Sequence, residues 1–311
     1  MFGPGVGFEY PPLPVSWNRR DLLLFANSIG CTADELHYLY ERHPEFAAFP
    51  TYPIVLGFKG ATADVVDFYA RQNATPIPDV PVFDPQRVVD GQRKMFFLQP
   101  IPLSSDGRRF ETHTRVLGVY DKGAAGSVVE TQQDLVDAAS GAVYTRCVAS
   151  VFYVGSGCGG WGGPRGPPAE KIEPPHGRAP DCVLTQTSTR ESALLYRLNG
   201  DYNPLHATPE PGLAMGFKGD IMHGLFAWNT TCHLILKKLG GSKPQNIKEF
   251  QARFSSPVMP GDELSTKVWR TGTLVDGFEE IRFVTEVVGG KACLTNGRAL
   301  VKVVAEASSK L

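Results

Sequence analysis

The chain has 311 residues, 42% hydrophobic and 20% charged, the balance of a globular protein with one large or two ordinary domains. Its formal net charge of −1 excludes a global basic field for nucleic acid or an anionic membrane. No stretch approaches the ~18 uninterrupted apolar residues of a membrane span.

The first segment, "MFGPGVGFEYPPLPVSW", has no basic start and no long apolar run, so it does not read as a secretory signal. "RRDLLLFANSIG" (19–30) predicts a short helix. "TYPIVLGF" (51–58) predicts a second helical segment. "SSDGRRFETHTRVLGVYDKG" (104–123) and "AVYTRCVASVFYVGSG" (142–157) read as turns and strands. Residues 155–180 hold eight Gly and six Pro, which makes a regular element improbable and suggests a linker or long loop. We place two domains at 1–165 and 166–311. The six Cys (31, 147, 158, 182, 232, 293) show no metal-type spacing and read as reduced thiols.

The second half repeats the first. "STRESALLYRLNG" (188–200) echoes 19–30. "VMPGDELSTKVWRTGTLVDG" (258–277) echoes 104–123, and "ACLTNGRALVKVVA" (292–305) echoes 142–157. An internal repeat is the economical explanation. "HGLFAWNTTCHLILKKLGG" (223–241) predicts a long helix, apolar on most faces and closed by lysines and a Gly pair. A short helix, a longer helix and antiparallel strands in each half make an α+β arrangement.

"RLNGDYNPLHATPE" (197–210) packs Asn199, Asp201, Asn203 and His206 into eight residues. Asn203-Pro204 is a helix start, with Gly200 permitting a turn before it. Two readings stand. The cluster caps a helix and His206 lies on the surface, or Asp201 and His206 address one water as an acid/base pair with Asn203 in support. The second gains from "GDIMHG" (219–224), which opens the long helix. There the Gly224 N–H, at the positive end of the helix dipole, can meet a developing oxyanion.

These motifs resemble the MaoC-like, type-2 (R-specific) enoyl-CoA hydratases. The resemblance extends over nearly the whole chain, through "ALLYRLNGDYNPLH", "IMHG", "VYDKG", "VGSGCGGWGG" and the terminal Ser309-Lys310-Leu311. It implies two hot-dog folds in one chain, each a curved antiparallel sheet wrapped around a central helix. It implies Asp201 and His206 as the catalytic dyad, Asn203 as support and Gly224 as oxyanion donor. For substrate binding it implies Asp90 and Gly91 in a loop over the ligand, Lys122 near the CoA phosphates, Tyr202 beside the dyad and Phe254 along the thioester arm. Asn199 departs from the family, where Ser is frequent, and could tune the dyad. "EPGLAMGFKGD" (210–220) is also unusual.

The first half reads "SIGCTADELHYLYE" around Gly30, without the dyad, so one active site per chain is expected. That half is free to widen for an acyl chain, with Val55 and Leu56 expected to influence its length. His223 is expected to be a structural residue at the helix start, and Trp161 a packing anchor. His37, His43, His113, His176 and His233 show no partner pattern.

The expected reaction is reversible hydration of trans-2-enoyl-CoA to (3R)-3-hydroxyacyl-CoA, with no cofactor and no metal, CoA being part of the substrate. The expected partners are an acyl-CoA thioester, a second copy in a homodimer, and the peroxisomal import receptor that reads Ser309-Lys310-Leu311. Neither nucleic acid nor membrane is expected. The competing readings are a hot-dog thioesterase and a non-catalytic acyl-CoA-binding protein.

Overall fold

The computed structural model describes residues 3–71, 75–155, 157–168 and 170–305. The terminal Ser309-Lys310-Leu311 lies outside the described residues. No helix among the described residues is long and apolar enough to cross a membrane.

The N-terminal half begins with strand β1 (Leu13–Val15) and helix α1 (Arg19–Ser28). Asn18 caps α1 in a reciprocal box with Asp21. A one-turn helix α2 (Leu36–Leu39) follows, then a 3-10 turn Tyr52–Val55 that runs into α3 (Leu56–Lys59). Four long strands complete the half: β2 (Val88–Phe97), β3 (Phe110–Asp121), β4 (Gly126–Asp137) and β5 (Val143–Val154). The C-terminal half repeats this order. It runs β6 (Cys182–Thr187), α4 (Ser192–Tyr196), α5 (Pro209–Ala214), α6 (Gly224–Gly240), β7 (Ile247–Phe254), β8 (Glu263–Val275), β9 (Phe278–Val287) and β10 (Ala292–Val301).

All ten strands form one antiparallel sheet in the order β1-β3-β4-β5-β2-β7-β10-β9-β8-β6. With β1 matched to β6, β2 to β7 and so on, the second half of that order is the mirror of the first. The repeat read from the sequence is therefore a pseudo-twofold repeat in space, whose axis passes between β2 and β7. Their pairing, Gln92↔Arg253 through Phe96↔Glu249, joins the halves.

Helix α6 lies against β6, β7, β8 and β10, with 13 of its 17 residues buried. It is the central helix of the C-terminal hot-dog. The N-terminal half differs from expectation here. Its central element is only the turn and α3, because Gly60 stops the helix at φ 63°. Trp17, Phe25, Tyr38, Phe49 and Tyr52 fill the space that a longer helix would take.

The Gly-rich segment between β5 and β6 contains no helix or strand among the described residues. It is tied down instead. The buried Asp121 carboxylate accepts the N–H groups of Gly123, Gly160 and Gly162 at 2.7–2.8 Å. Trp161 donates to Ser127 Oγ at 3.0 Å and packs on Val116, Val119 and Val129.

A buried ionic cluster fastens the halves on the core side. His233 of α6 donates to Glu35 Oε2 at 2.8 Å, Lys237 reaches the same oxygen at 3.1 Å, and Ser242 donates to Oε1 at 2.6 Å. Glu35 and His233 are each 2% exposed at the side chain. Burial would raise the Glu35 pKa, but the His233 hydrogen bond, its charge and the Ser242 hydroxyl outweigh it and hold the carboxyl well below 4.5. The Cys31 thiol completes a set of possible metal donors with Glu35 and His233, yet Lys237 and Ser242 already occupy both carboxylate oxygens.

Since the native state binds this proton less readily than the unfolded chain, the cluster stabilises the fold above about pH 4.5 and its contribution fades as pH falls. Glu35→Ala leaves the buried His233 Nε2 and Ser242 hydroxyl without their acceptor, while Lys237 keeps Asp34 at 2.9 Å, and should cost about 1–3 kcal/mol. Urea unfolding at pH 7 and pH 4 checks this, with a smaller penalty at the lower pH.

Candidate active site

The site grows from a break in the repeat's helical segment. Helix α4 tightens into a 3-10 turn, Arg197–Asn199, and ends at Gly200 with φ 121°. A Cβ on Gly200 would lie 2.6 Å from the Lys59 backbone nitrogen of α3, so only Gly lets the two halves approach here. Asn199 does not face the dyad. Its Nδ2 donates to Ser28 Oγ at 2.9 Å and to the Tyr196 carbonyl at 2.8 Å, tying this loop to α1.

Beyond Gly200 the chain runs extended to Asn203, whose Oδ1 accepts the Leu205 N–H at 3.0 Å and caps the 3-10 turn Pro204–His206. The sequence expected a helix start here, and it is a single turn. Asn203 supports the dyad through its backbone N–H, which donates to Asp201 Oδ1 at 3.3 Å, and through the turn that carries His206. His206 is buried, 8% exposed, which removes the surface reading.

His206 Nδ1 lies 2.8 Å from the Ile221 carbonyl. A carbonyl only accepts, so Nδ1 carries the hydrogen and Nε2 keeps its lone pair. His223 stacks on the His206 ring at 3.8 Å and 28°. It donates from Nε2 to the Asp201 carbonyl at 3.1 Å, which makes it the bracket between the start of α6 and the dyad loop.

The donor atoms of Asp201, His206 and His223 lie within 4.8 Å of one another. Burial raises the Asp201 pKa, opposed by the His206 charge and the Asn203 N–H. Burial lowers the His206 pKa, opposed by Asp201. The His223 ring is pushed well down, first by burial and then by His206. The pair is therefore biased towards a neutral carboxylic acid beside a neutral imidazole, one a donor of protons and the other an acceptor. The same three side chains have the chemistry of a divalent-cation site.

All three line a cavity of about 600 Å³. Gly224 opens α6 at its wall, and no side chain caps the helix, so its first N–H groups are left for a ligand. A Cβ on Gly224 would come within 3.1 Å of the Phe254 ring, which also lines the cavity from the end of β7. Phe58, Phe68, Pro85, Val88 and Val89 of the N-terminal half supply the apolar end. Val55 and Leu56 do not. They are buried in the core.

The remaining sequence candidates divide. Asp90 lines the cavity. Gly91 does not; it forms a β-bulge against β5, where a Cβ would meet the Ser150 carbonyl at 2.9 Å. Tyr202 is also outside the cavity wall, under the Arg197 guanidinium at 5.1 Å. Lys122 sits at the β3–β4 turn, donating to the Arg165 carbonyl of the Gly-rich loop, and not among the cavity residues. Arg93, which the sequence did not single out, lines the cavity and is paired with Asp90 at 2.7 Å. Three residues apart, the two would fall on opposite faces of a regular strand. The bulge at Gly91 brings them to one face.

A curved antiparallel sheet given twice in one chain, around the long α6 in the second half and the short α3 in the first, defines a double hot-dog protein. Residues 15–155 match the MFE-2 hydratase 2 N-terminal domain and residues 171–290 the MaoC like domain. The chain is 51% identical over 308 residues to a probable dehydratase, NIT22, of Ajellomyces capsulatus, covering 95% of this chain and 81% of that one. It is 31% identical to a probable enoyl-CoA hydratase 2 of Dictyostelium discoideum, over 85% of each chain. The crystal structure of a MaoC-like dehydratase from Phytophthora capsici superposes with a TM-score of 0.81 at 31% identity, covering 97% of both chains. The chain belongs to the MaoC-like hydratase family in its double hot-dog form.

The electrostatics carry a stability consequence. Unfolded, Asp201 ionises near 3.8, and folded it holds its proton to higher pH. Its favourable contribution is full at low pH and lost as pH rises through the raised value. Asp201→Asn should therefore raise Tm at pH 7–8, by roughly 2–4 °C for a gain near 1 kcal/mol, with the gain vanishing towards pH 4. Calorimetry across that range checks it.

Proposed function

We propose that this protein is a hydro-lyase that adds water reversibly to trans-2-enoyl-CoA, giving (3R)-3-hydroxyacyl-CoA. The observation that supports this reading is the pairing, on one cavity wall, of a carboxyl biased towards its acid form with an imidazole whose Nε2 lone pair is free. The thioester oxygen accepts from the Gly224 N–H at the start of α6. A water between Asp201 and His206 gives a proton to His206 Nε2 as its oxygen bonds to C3. The electron pair of the double bond moves to the enolate on the thioester oxygen, held by the helix terminus. Asp201 then delivers its proton to C2. The pair ends as imidazolium and carboxylate, and proton return from His206 to Asp201 restores it. Dehydration, the direction named for the relatives called dehydratases, reverses each step.

One water on one face of the enoyl plane gives one product hand, and Gly224 fixes which face by anchoring the thioester. In this reading no metal takes part, because Asp201 and His206 Nε2 are committed to the water. Ser309-Lys310-Leu311 supports import into peroxisomes, where enoyl-CoA esters of fatty-acid β-oxidation are available.

With crotonyl-CoA and longer enoyl-CoAs, the enoyl absorbance should fall without thiol release, with chelator present, and chiral analysis should return the R isomer. Thiol release would make the protein a thioesterase, and an S product would overturn the stereochemical assignment. Asp201→Asn and His206→Ala should each lower kcat by ~10²–10⁴ with the far-UV spectrum unchanged. Their losses should not add, since the two groups act as a unit.

A further inference from the structure

Hydration of a plain alkyl enoyl thioester makes no use of the charge pair Asp90–Arg93. Both residues come from β2 of the N-terminal half and line the cavity that holds Asp201 and His206. Arg93 is 8% exposed, and its Nε and Nη2 both donate to the same oxygen, Asp90 Oδ1, at 3.1 and 2.7 Å. Asp90 Oδ2 has no hydrogen-bond partner among the described residues, and the Asp90 side chain keeps 25% of its surface open.

The surroundings make this arrangement costly. Phe58, Val88, Val89, Val151, Met222 and Phe254 share the wall. A buried ion pair recovers its desolvation cost only when its remaining lone pairs are satisfied, and two apolar residues would suit an alkyl chain better. Asp90 and Arg93 line the same cavity as Asp201 and His206, and the charges of both are felt at Asp201. Oδ2 is a pure acceptor, so its ligand must donate. Arg93 already balances the carboxylate charge, so a neutral donor fits. A carboxylate substituent would be repelled by Oδ2.

We propose that Asp90, held by Arg93, is a specificity residue whose Oδ2 accepts a hydrogen bond from a hydroxyl group carried on the acyl chain near the reacting carbons. The preferred substrates are then hydroxylated enoyl thioesters rather than plain alkyl ones. This rests on the enoyl-CoA reading above. Asp90 acts on substrate choice and takes no part in the proton transfers.

The test uses the full chain and enoyl-CoA esters of one length: the unsubstituted ester, a series with a hydroxyl at successive carbons beyond the double bond, and the matching keto series. One hydroxyl position should raise kcat/KM by ~10-fold or more over the unsubstituted ester, the scale of a hydrogen bond to a charged acceptor. The keto ester at that position should lose the gain, since it offers no donor. In Asp90→Asn the amide oxygen can keep Arg93 while the NH2 group faces the cavity, so the keto ester should overtake the hydroxyl ester. In the double variant Asp90→Leu/Arg93→Leu, which leaves no lone buried charge, the ratio between hydroxyl and plain esters should fall to about one or below. Equal kcat/KM for all esters in the wild type would overturn the proposal, as would variants that slow every ester by the same factor, the mark of a purely structural pair. If no ester is hydrated, the enoyl-CoA reading fails and this one with it. Hydration of all esters without preference sinks only the specificity claim.

Discussion

The antiparallel pairing of β2 with β7 is the constraint on which the molecule depends. Five residue pairs, Gln92↔Arg253 to Phe96↔Glu249, turn two curved sheets into one of ten strands. Charges reinforce the seam, with Glu249 of β7 meeting Lys94 of β2 at 3.3 Å and also Arg298 of β10. Because β2 and β7 run in opposite directions, the start of β2 lies beside the end of β7. Asp90 and Arg93 of one half thereby share a cavity with Phe254, Gly224 and the Asp201 loop of the other. The site is a property of the junction. The chemistry-bearing loop comes from one half, and much of the apolar wall from the other.

At that junction burial acts in two directions. It pushes the Asp201 carboxyl and the His206 imidazole both towards their uncharged forms, while their mutual attraction pulls both towards the ion pair. The two tendencies oppose each other within a few ångströms, and burial is the larger in both groups. His223 contributes without titrating in the ordinary range. Its ring is pushed well below 6.5, so it stays a neutral spacer that holds the Asp201 carbonyl and stacks on His206.

Much of this was legible in the residues. The repeat, the long apolar helix closed by Lys237, Lys238 and Gly240-Gly241, and the Asn203-Pro204 start all depend on local pattern, and local pattern is what a sequence displays. What escaped depended on distance or register. Glu35 and His233 are 198 residues apart, so no local pattern couples them. The Asp90–Arg93 pair is hidden by the bulge, because strand alternation assigns them to different faces. The N-terminal central helix was read as longer than it is, since "TYPIVLGF" is apolar enough to open a helix and only Gly60 reveals how soon it ends. Lys122 was placed by the resemblance, and its structural partner is the Arg165 carbonyl, 43 residues away across a loop without periodicity.

The seam has a cost in time. In the finished sheet the outer strands are β1, of three residues, and β6, of six, both short enough to offer little to a passing chain. During synthesis the situation is reversed. Strand β2, ten residues long, can pair with β5 on one side as soon as the N-terminal half is made, but β7 is complete only 100 residues after β5, Val154 to Phe254. At ribosomal rates of ~5–20 residues per second, a long backbone edge stays open for roughly 5–20 seconds. A half-made chain therefore presents the surface that its own second half will later cover, and so does every other nascent chain on the same message. The covalent repeat that guarantees the correct partner also delays its arrival.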